Sequence, residues 1–149
     1  MQELRDALGL RPLISVGADV LVLQDGLAGE EVLLLHRRDG DYWSLPGGSM
    51  EPGESFVQTA RRELFEETTL TAEKLKLLTI CSGPGFEHTY PNGDRIHNVT
   101  ATYLATGVRG EARADGVEGR DVCYFPTDDL PEIPPAAERM LIAALESMR

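Results

Sequence analysis

GSMEPGESFVQTARRELFEETTL, residues 48–70, is the stretch on which the reading of this chain turns. Ser55 suits a helix N-cap and Gln58, three residues on, completes a capping-box pattern, so a helix is expected from there to about Thr68. Phe56, Ala60 and Leu64 recur at helical spacing and mark its buried stripe. Glu63, Glu66 and Glu67 stand at offsets of three and four on the same helix, which makes them neighbours on one face. Like charges so spaced cost an isolated helix roughly 0.2–0.5 kcal/mol per pair, and a compensating cation is expected. Hard divalent cations take oxygen ligands, and magnesium characteristically combines a few carboxylates with waters and substrate phosphates. No Cys or His holds a comparable position, so magnesium or manganese is expected rather than zinc or copper. The plainer alternative is a solvated acidic face paired with Arg61 and Arg62.

Upstream, Pro46, Gly47 and Gly48 break regular structure, and Pro52 with Gly53 breaks it again, so a loop is expected to deliver the chain to the helix. Gly47 and Gly48 let backbone come close to a ligand and can offer it a carbonyl oxygen or an amide. Arg62 can reach over to orient the Glu63 carboxylate by a paired hydrogen bond. A cation held there would neutralise a diphosphate, lower the pKa of a bound water and set it in line with phosphorus. The expected chemistry is hydrolysis of a phosphoanhydride.

The remaining chain frames this helix with strands. Ile14, Val16, Ala18, Val20 and Val22 alternate with their neighbours, the period of a strand with one apolar face. Val32 to Leu35 is a continuous apolar run suited to a buried strand. Leu75 to Cys81, Ile96 to Ala105 and Val122 to Phe125 also read as strands, with Tyr90 to Asp94 as a turn. Gln2 to Leu10 reads as a short opening helix, and Pro134 and Pro135 precede a closing one carrying Met140, Leu141, Ala144 and Leu145. Strands on both sides of a central helix, with a second long helix closing the chain, favour an α/β fold with a mixed sheet between helices.

At 149 residues, a single domain over 1–149 is expected. The net charge of −11 makes long nucleic acid or an anionic membrane an unlikely partner class. Cys81 and Cys123 lie far apart and read as free thiols of a reducing compartment. No apolar run reaches the ~20 residues of a spanning helix and the N-terminus is too charged for a signal peptide, so a soluble, cytoplasmic protein is expected.

The segment resembles the signature of the Nudix hydrolase family: glycine, five residues, glutamate, seven residues, Arg-Glu, an apolar residue, any residue, Glu-Glu, any residue, glycine, apolar. Here these positions are Gly48, Glu54, Arg62, Glu63, Leu64, Glu66, Glu67 and Leu70. Thr69 departs from the pattern, standing where the family has a glycine suited to a left-handed helix exit, which costs a β-branched residue ~1–2 kcal/mol. Trp43, Leu45, Pro46 and Gly47 look like the family's usual approach to its glycine, and 125–130 like its stretch before the last helix. The resemblance implies an α/β/α sandwich and magnesium-dependent hydrolysis of a nucleoside diphosphate linked to another moiety. It implies Glu63, Glu66 and Glu67 as metal ligands, Arg62 as the residue orienting Glu63, and Glu54 as support for the loop or metal shell.

Outside the signature, Arg37 and Arg38 are candidates for substrate phosphate, and Glu118 for an added ligand, base or substrate contact such as several relatives supply from a loop. The plainer reading of each is a surface charge offset by its neighbours. Trp43 reads as packing. Other functions compatible with the residues are a nucleotide-binding sensor that has lost turnover, hinted at by Thr69, and a hydrolase of dinucleoside polyphosphates or capped RNA, against which the negative charge weighs. Many Nudix relatives are dimers, and the apolar face of the first strand would serve a homodimer.

Overall fold

The computed structural model describes residues 3, 12–38, 40–90, 92–117 and 119–149. Glu118, and all but Glu3 of the opening helix expected at 2–10, lie outside them. In chain order the elements are β1 (Leu13–Leu21), β2 (Leu23–Gly26), β3 (Gly29–Arg37), β4 (Tyr42–Ser44), β5 (Gly47–Ser49), α1 (Phe56–Thr68), β6 (Thr71–Cys81), β7 (Glu87–Thr89), β8 (Arg95–Arg109), β9 (Gly119–Pro126) and α2 (Pro135–Ser147).

The strands form two sheets. The larger runs β5-β1-β8-β6, with β7 also on β8, and it is mixed: β1 lies parallel to β8 while the other pairs are antiparallel. The smaller runs β2-β3-β4, with β9 against β3. Period-two alternation then sorts the side chains into two cores. Ala18, Val20 and Val22 pack with Leu33, Ala101 and Tyr103 against Ala60 and Leu64 of α1. Leu21, Val32 and Leu34 point the other way and pack with Leu141, Ala144 and Leu145 of α2. One helix on each core is the α/β sandwich expected from the sequence.

The alternation of β1 outruns its burial: Ala18 and Val20 are fully buried, whereas Ile14 is 69% and Val16 38% exposed. Trp43 packs edge-on to Phe125 with ring centroids 4.8 Å apart, against the α2-side core. The segment after Pro46, expected as irregular, instead makes β5, which pairs antiparallel with β1 through Ala18 opposite Gly48 and Asp19 opposite Gly47. Two glycines permit it, because a Cβ on Gly17 would stand 2.3 Å from the Gly48 carbonyl oxygen. This pairing carries the glycine loop under α1.

The helix carries the capping box read from its sequence. Ser55 Oγ accepts from the Gln58 amide at 3.2 Å and Gln58 Oε1 accepts from the Ser55 amide at 2.8 Å. At its far end Thr69 adopts φ 65°, the left-handed conformation a glycine would take, and donates from Oγ1 to the Glu111 carbonyl at 2.7 Å. Among the described residues, no helix is long and apolar enough to cross a membrane.

Candidate active site

Capping fixes where α1 starts, and its buried stripe fixes how it is rotated, so the direction of each glutamate follows. Glu63 and Glu67, four residues apart, turn inward and are 7% and 1% exposed. Glu66 does not join them; its side chain stays 56% exposed at the rim. Among the described residues no three acidic, histidine or cysteine side chains converge on one point. Two arginines bind the acids.

Arg62 is the outer one. Its Nε donates to Glu54 Oε2 at 2.7 Å and its Nη2 to Glu54 Oε1 at 2.9 Å, a two-pronged pair. Its Nη1 donates to Glu63 Oε1 at 2.7 Å and to Glu66 Oε2 at 3.3 Å, and its Nη2 also reaches the Ser49 carbonyl at 3.0 Å. Glu54 further accepts from the Glu51 amide at 2.8 Å and from Thr59 Oγ1 at 3.0 Å. The Arg62 guanidinium, with these donors, holds the Glu54 carboxyl down at about 2.

Arg37, the last residue of β3, is the inner one. It stands where the pairing of β3 with β9 shifts register, an irregularity that re-aims a side chain. Its Nε donates to Ser44 Oγ at 2.9 Å, and its Nη2 to the carbonyls of Leu45 at 3.1 Å and Gly47 at 2.9 Å. Its Nη1 donates to Glu67 Oε2. Glu67 Oε1 accepts from the Gly47 amide at 2.7 Å. Arg37, a candidate for substrate phosphate in the sequence, is turned inward onto Glu67 and also lines the clefts on either side of the loop. Arg38, next to it, is exposed and lines the same cleft as Glu63 and Glu66.

Asp19 is a site residue the sequence reading passed over, although a lone carboxylate in an otherwise apolar strand was its signal. A Cβ on Gly47 would lie 2.1 Å from Asp19 Oδ1, and one on Gly48 2.7 Å from the Glu63 carboxyl, so the two glycines admit both acids against backbone. Burial pushes Asp19 up to about 7; the Arg37 guanidinium opposes this and the Glu63 charge adds to it. Burial raises Glu67 as well, against the pull of Arg37 and the Gly47 amide. Desolvated carboxylates crowded around one glycine loop form a hard-oxygen, electronegative site, and that donor set fits a divalent cation better than any soft metal.

Two clefts meet at this loop. One, of 1120 Å³, is walled by Glu63, Glu66, Arg62 and Arg38. The other, of 710 Å³, is walled by Asp19 and the rings of Tyr42, His88 and Tyr90. His88 lies 5.8 Å from Tyr42 and 4.5 Å from Tyr90 between ring centroids. Arg37, Gly47 and Gly48 belong to both clefts. His88 and Tyr42 carried no sequence signal, since long-range pairing alone brings them together. The Tyr90–Asp94 turn closes by Gly93 N–H to the Tyr90 carbonyl at 2.9 Å and borders the second cleft.

Comparison with known proteins agrees with this architecture. The NUDIX domain family matches residues 14–144. A Bacillus subtilis protein provisionally named an 8-oxo-dGTP diphosphatase is 32% identical over 115 residues, 77% of this chain and 68% of that one. The chain spans only 25% to 38% of the length of three further curated relatives, which include NAD-capped RNA hydrolases NudC. The crystal structure of a MutT NUDIX hydrolase from Burkholderia pseudomallei superposes with a TM-score of 0.71 at 28% identity, covering 93% of this chain and 99% of that one. The NUDIX domain of Shewanella oneidensis NrtR, complexed with ADP ribose, shares the fold with a TM-score of 0.73 at 22% identity, over 91% of this chain and 88% of that one. The chain therefore belongs to the NUDIX family.

Proposed function

We propose that this chain hydrolyses the phosphoanhydride of a small nucleoside diphosphate derivative with the aid of a divalent cation, magnesium or manganese. The observation that carries the reading is the burial of Glu63 and Glu67 against a glycine loop that two clefts share. Glu63, Glu67 and the Gly47 carbonyl would hold the cation, with Glu66 reaching in from the rim. When bound, such a cation neutralises phosphate oxygens and makes water a better nucleophile.

The chain's own groups do the rest. Arg62, anchored by Glu54, fixes one oxygen of Glu63 and steadies Glu66. Glu63 is the proposed proton acceptor, because that bond sets its orientation. Arg38 stands exposed on the wall of the larger cleft, where diphosphate oxygens would lie. The rings of Tyr42, His88 and Tyr90 offer the smaller cleft a surface on which a nucleobase can stack. The names borne by the Bacillus subtilis relative and by the Shewanella complex support a small nucleotide as the substrate class.

The test is a hydrolysis panel of nucleoside di- and triphosphates, ADP-ribose, nucleotide sugars and dinucleoside polyphosphates, with and without magnesium. Cation-dependent turnover of a small nucleotide supports the proposal. Binding without turnover at saturating magnesium overturns it in favour of a sensor.

A further inference from the structure

Glu67 and the Gly47 carbonyl are the innermost oxygens of the proposed cation site, and one side chain already bonds to both. Arg37 donates from Nη1 to Glu67 and from Nη2 to Gly47 O at 2.9 Å. We propose that Arg37 is an internal competitor of the divalent cation: its guanidinium and the cation are alternative partners for these oxygens. On this account Arg37 must release the Gly47 carbonyl as the site loads, and it turns toward the clefts whose shared wall it already forms. The inference rests on the function proposed above and adds to it an order of events and a residue that sets metal affinity.

Three features of the geometry support it. First, a buried glutamate that keeps its charge needs a positive partner, and arginine cannot give up its own charge by losing a proton, so the ionised Glu67 is held either by Arg37 or by another cation in its place. Secondly, the guanidinium is shared too widely to be irreplaceable. Nη2 carries two hydrogens yet faces three acceptors, the carbonyls of Leu45 and Gly47 and, at 3.4 Å, Glu67 Oε1. Its anchors at Ser44 Oγ and Leu45 O can persist while the Gly47 bond is given up. Thirdly, Arg62 differs in kind. It grips Glu54, Glu63 and Glu66 from the rim and donates to the Ser49 carbonyl, so it can orient carboxylates without occupying the innermost oxygens.

A cation that must displace charge-assisted hydrogen bonds binds more weakly than one that need not, by about tenfold or more. The experiment is Mn²⁺ binding without nucleotide, read from loss of the free-ion electron paramagnetic resonance signal, for wild type, Arg37→Gln and Arg113→Gln. Arg37→Gln should bind Mn²⁺ about tenfold or more tightly than wild type. Arg113→Gln, which removes an equal but exposed charge outside both clefts, should stay within about twofold. Mn²⁺ should also raise the melting midpoint of Arg37→Gln by more than it raises that of wild type. Should Arg37→Gln not fold, Arg37→Lys serves, since an ammonium keeps the charge but cannot span both oxygens, and tighter binding is again expected.

Equal or weaker Mn²⁺ binding by the Arg37 variant overturns the proposal, as does an equal gain in Arg113→Gln, which would reduce the effect to general electrostatics. Absence of Mn²⁺ binding in all three proteins would remove the metal reading itself and this inference with it. Equal binding in all three would sink the inference and leave that reading standing.

Discussion

Thr69 is where this chain departs from its family's pattern, and its geometry permits a two-variant test of how the helix exit is held. Thr69 sits at φ 65° with its amide bonded to the Phe65 carbonyl at 2.9 Å and its hydroxyl to the Glu111 carbonyl at 2.7 Å. The left-handed backbone costs a non-glycine residue ~1–2 kcal/mol. The exposed hydroxyl bond returns about 0.5–1.5 kcal/mol. Thr69→Ala loses the bond and keeps the strain, so it should be less stable than wild type by about 1 kcal/mol. Thr69→Gly loses the same bond and sheds the strain, so it should exceed Thr69→Ala by ~1–2 kcal/mol and lie close to wild type. For a chain of this size that difference corresponds to about 2–8 °C in melting midpoint. Thermal unfolding followed by circular dichroism, with chemical denaturation alongside, reads it directly. Equal stability of the glycine and alanine variants would refute the reasoning, because the two share every loss except the backbone strain.

Two further expectations follow from burial. Leu64 is 1% exposed at the centre of the α1-side core, and Leu64→Ala should cost about 2–5 kcal/mol in denaturant unfolding. Asp19 has its folded-state pKa raised from 3.8 to about 7, so the folded chain binds that proton more readily than the unfolded chain. The stability this contributes is complete below the ordinary value and is lost as pH rises through about 7. Asp19→Asn, which is neutral throughout, should therefore gain stability relative to wild type between pH 5 and pH 8, as read from melting midpoints; a gap that stays constant or narrows would contradict it.

The elements visible in the sequence were those whose signal is local. Helix α1 carries its cap and apolar stripe within itself, and β1, β6 and β8 show period-two or apolar runs that do not depend on their partners. What escaped depends on distant pairing. β5 forms from a Pro-Gly-Gly segment only because Gly17, thirty residues away, makes room for it. β7 is three residues long and exists by lying against β8. The division of the strands into two sheets is likewise a matter of which edges meet.

The site divides in the same way. Helical spacing places Glu63 with Glu67, but it cannot say that Glu66 turns to the rim, because the rotation of α1 is set by what its apolar stripe meets in β1 and β6. The role of Arg37 was out of reach, since its partner Glu67 is separated from it by thirty residues. A charged residue beside an apolar strand reads as surface until the strand is seen to end under a helix. Asp19 escaped for a simpler reason: the alternation of β1 shows one apolar face, and an acid between its members carries no local sign of the glycine segment that pairs over it.

The most direct test of the account is the magnesium-dependent turnover of a small nucleotide substrate by wild type, Glu63→Gln and Glu67→Gln, with folding of each confirmed by circular dichroism. Removal of groups that act only as the reaction proceeds typically costs about 10²-fold or more, and that loss is expected in both folded variants. Either variant folding normally and turning over substrate at the wild-type rate would contradict the assignment of the buried glutamates of α1 as the centre of the chemistry.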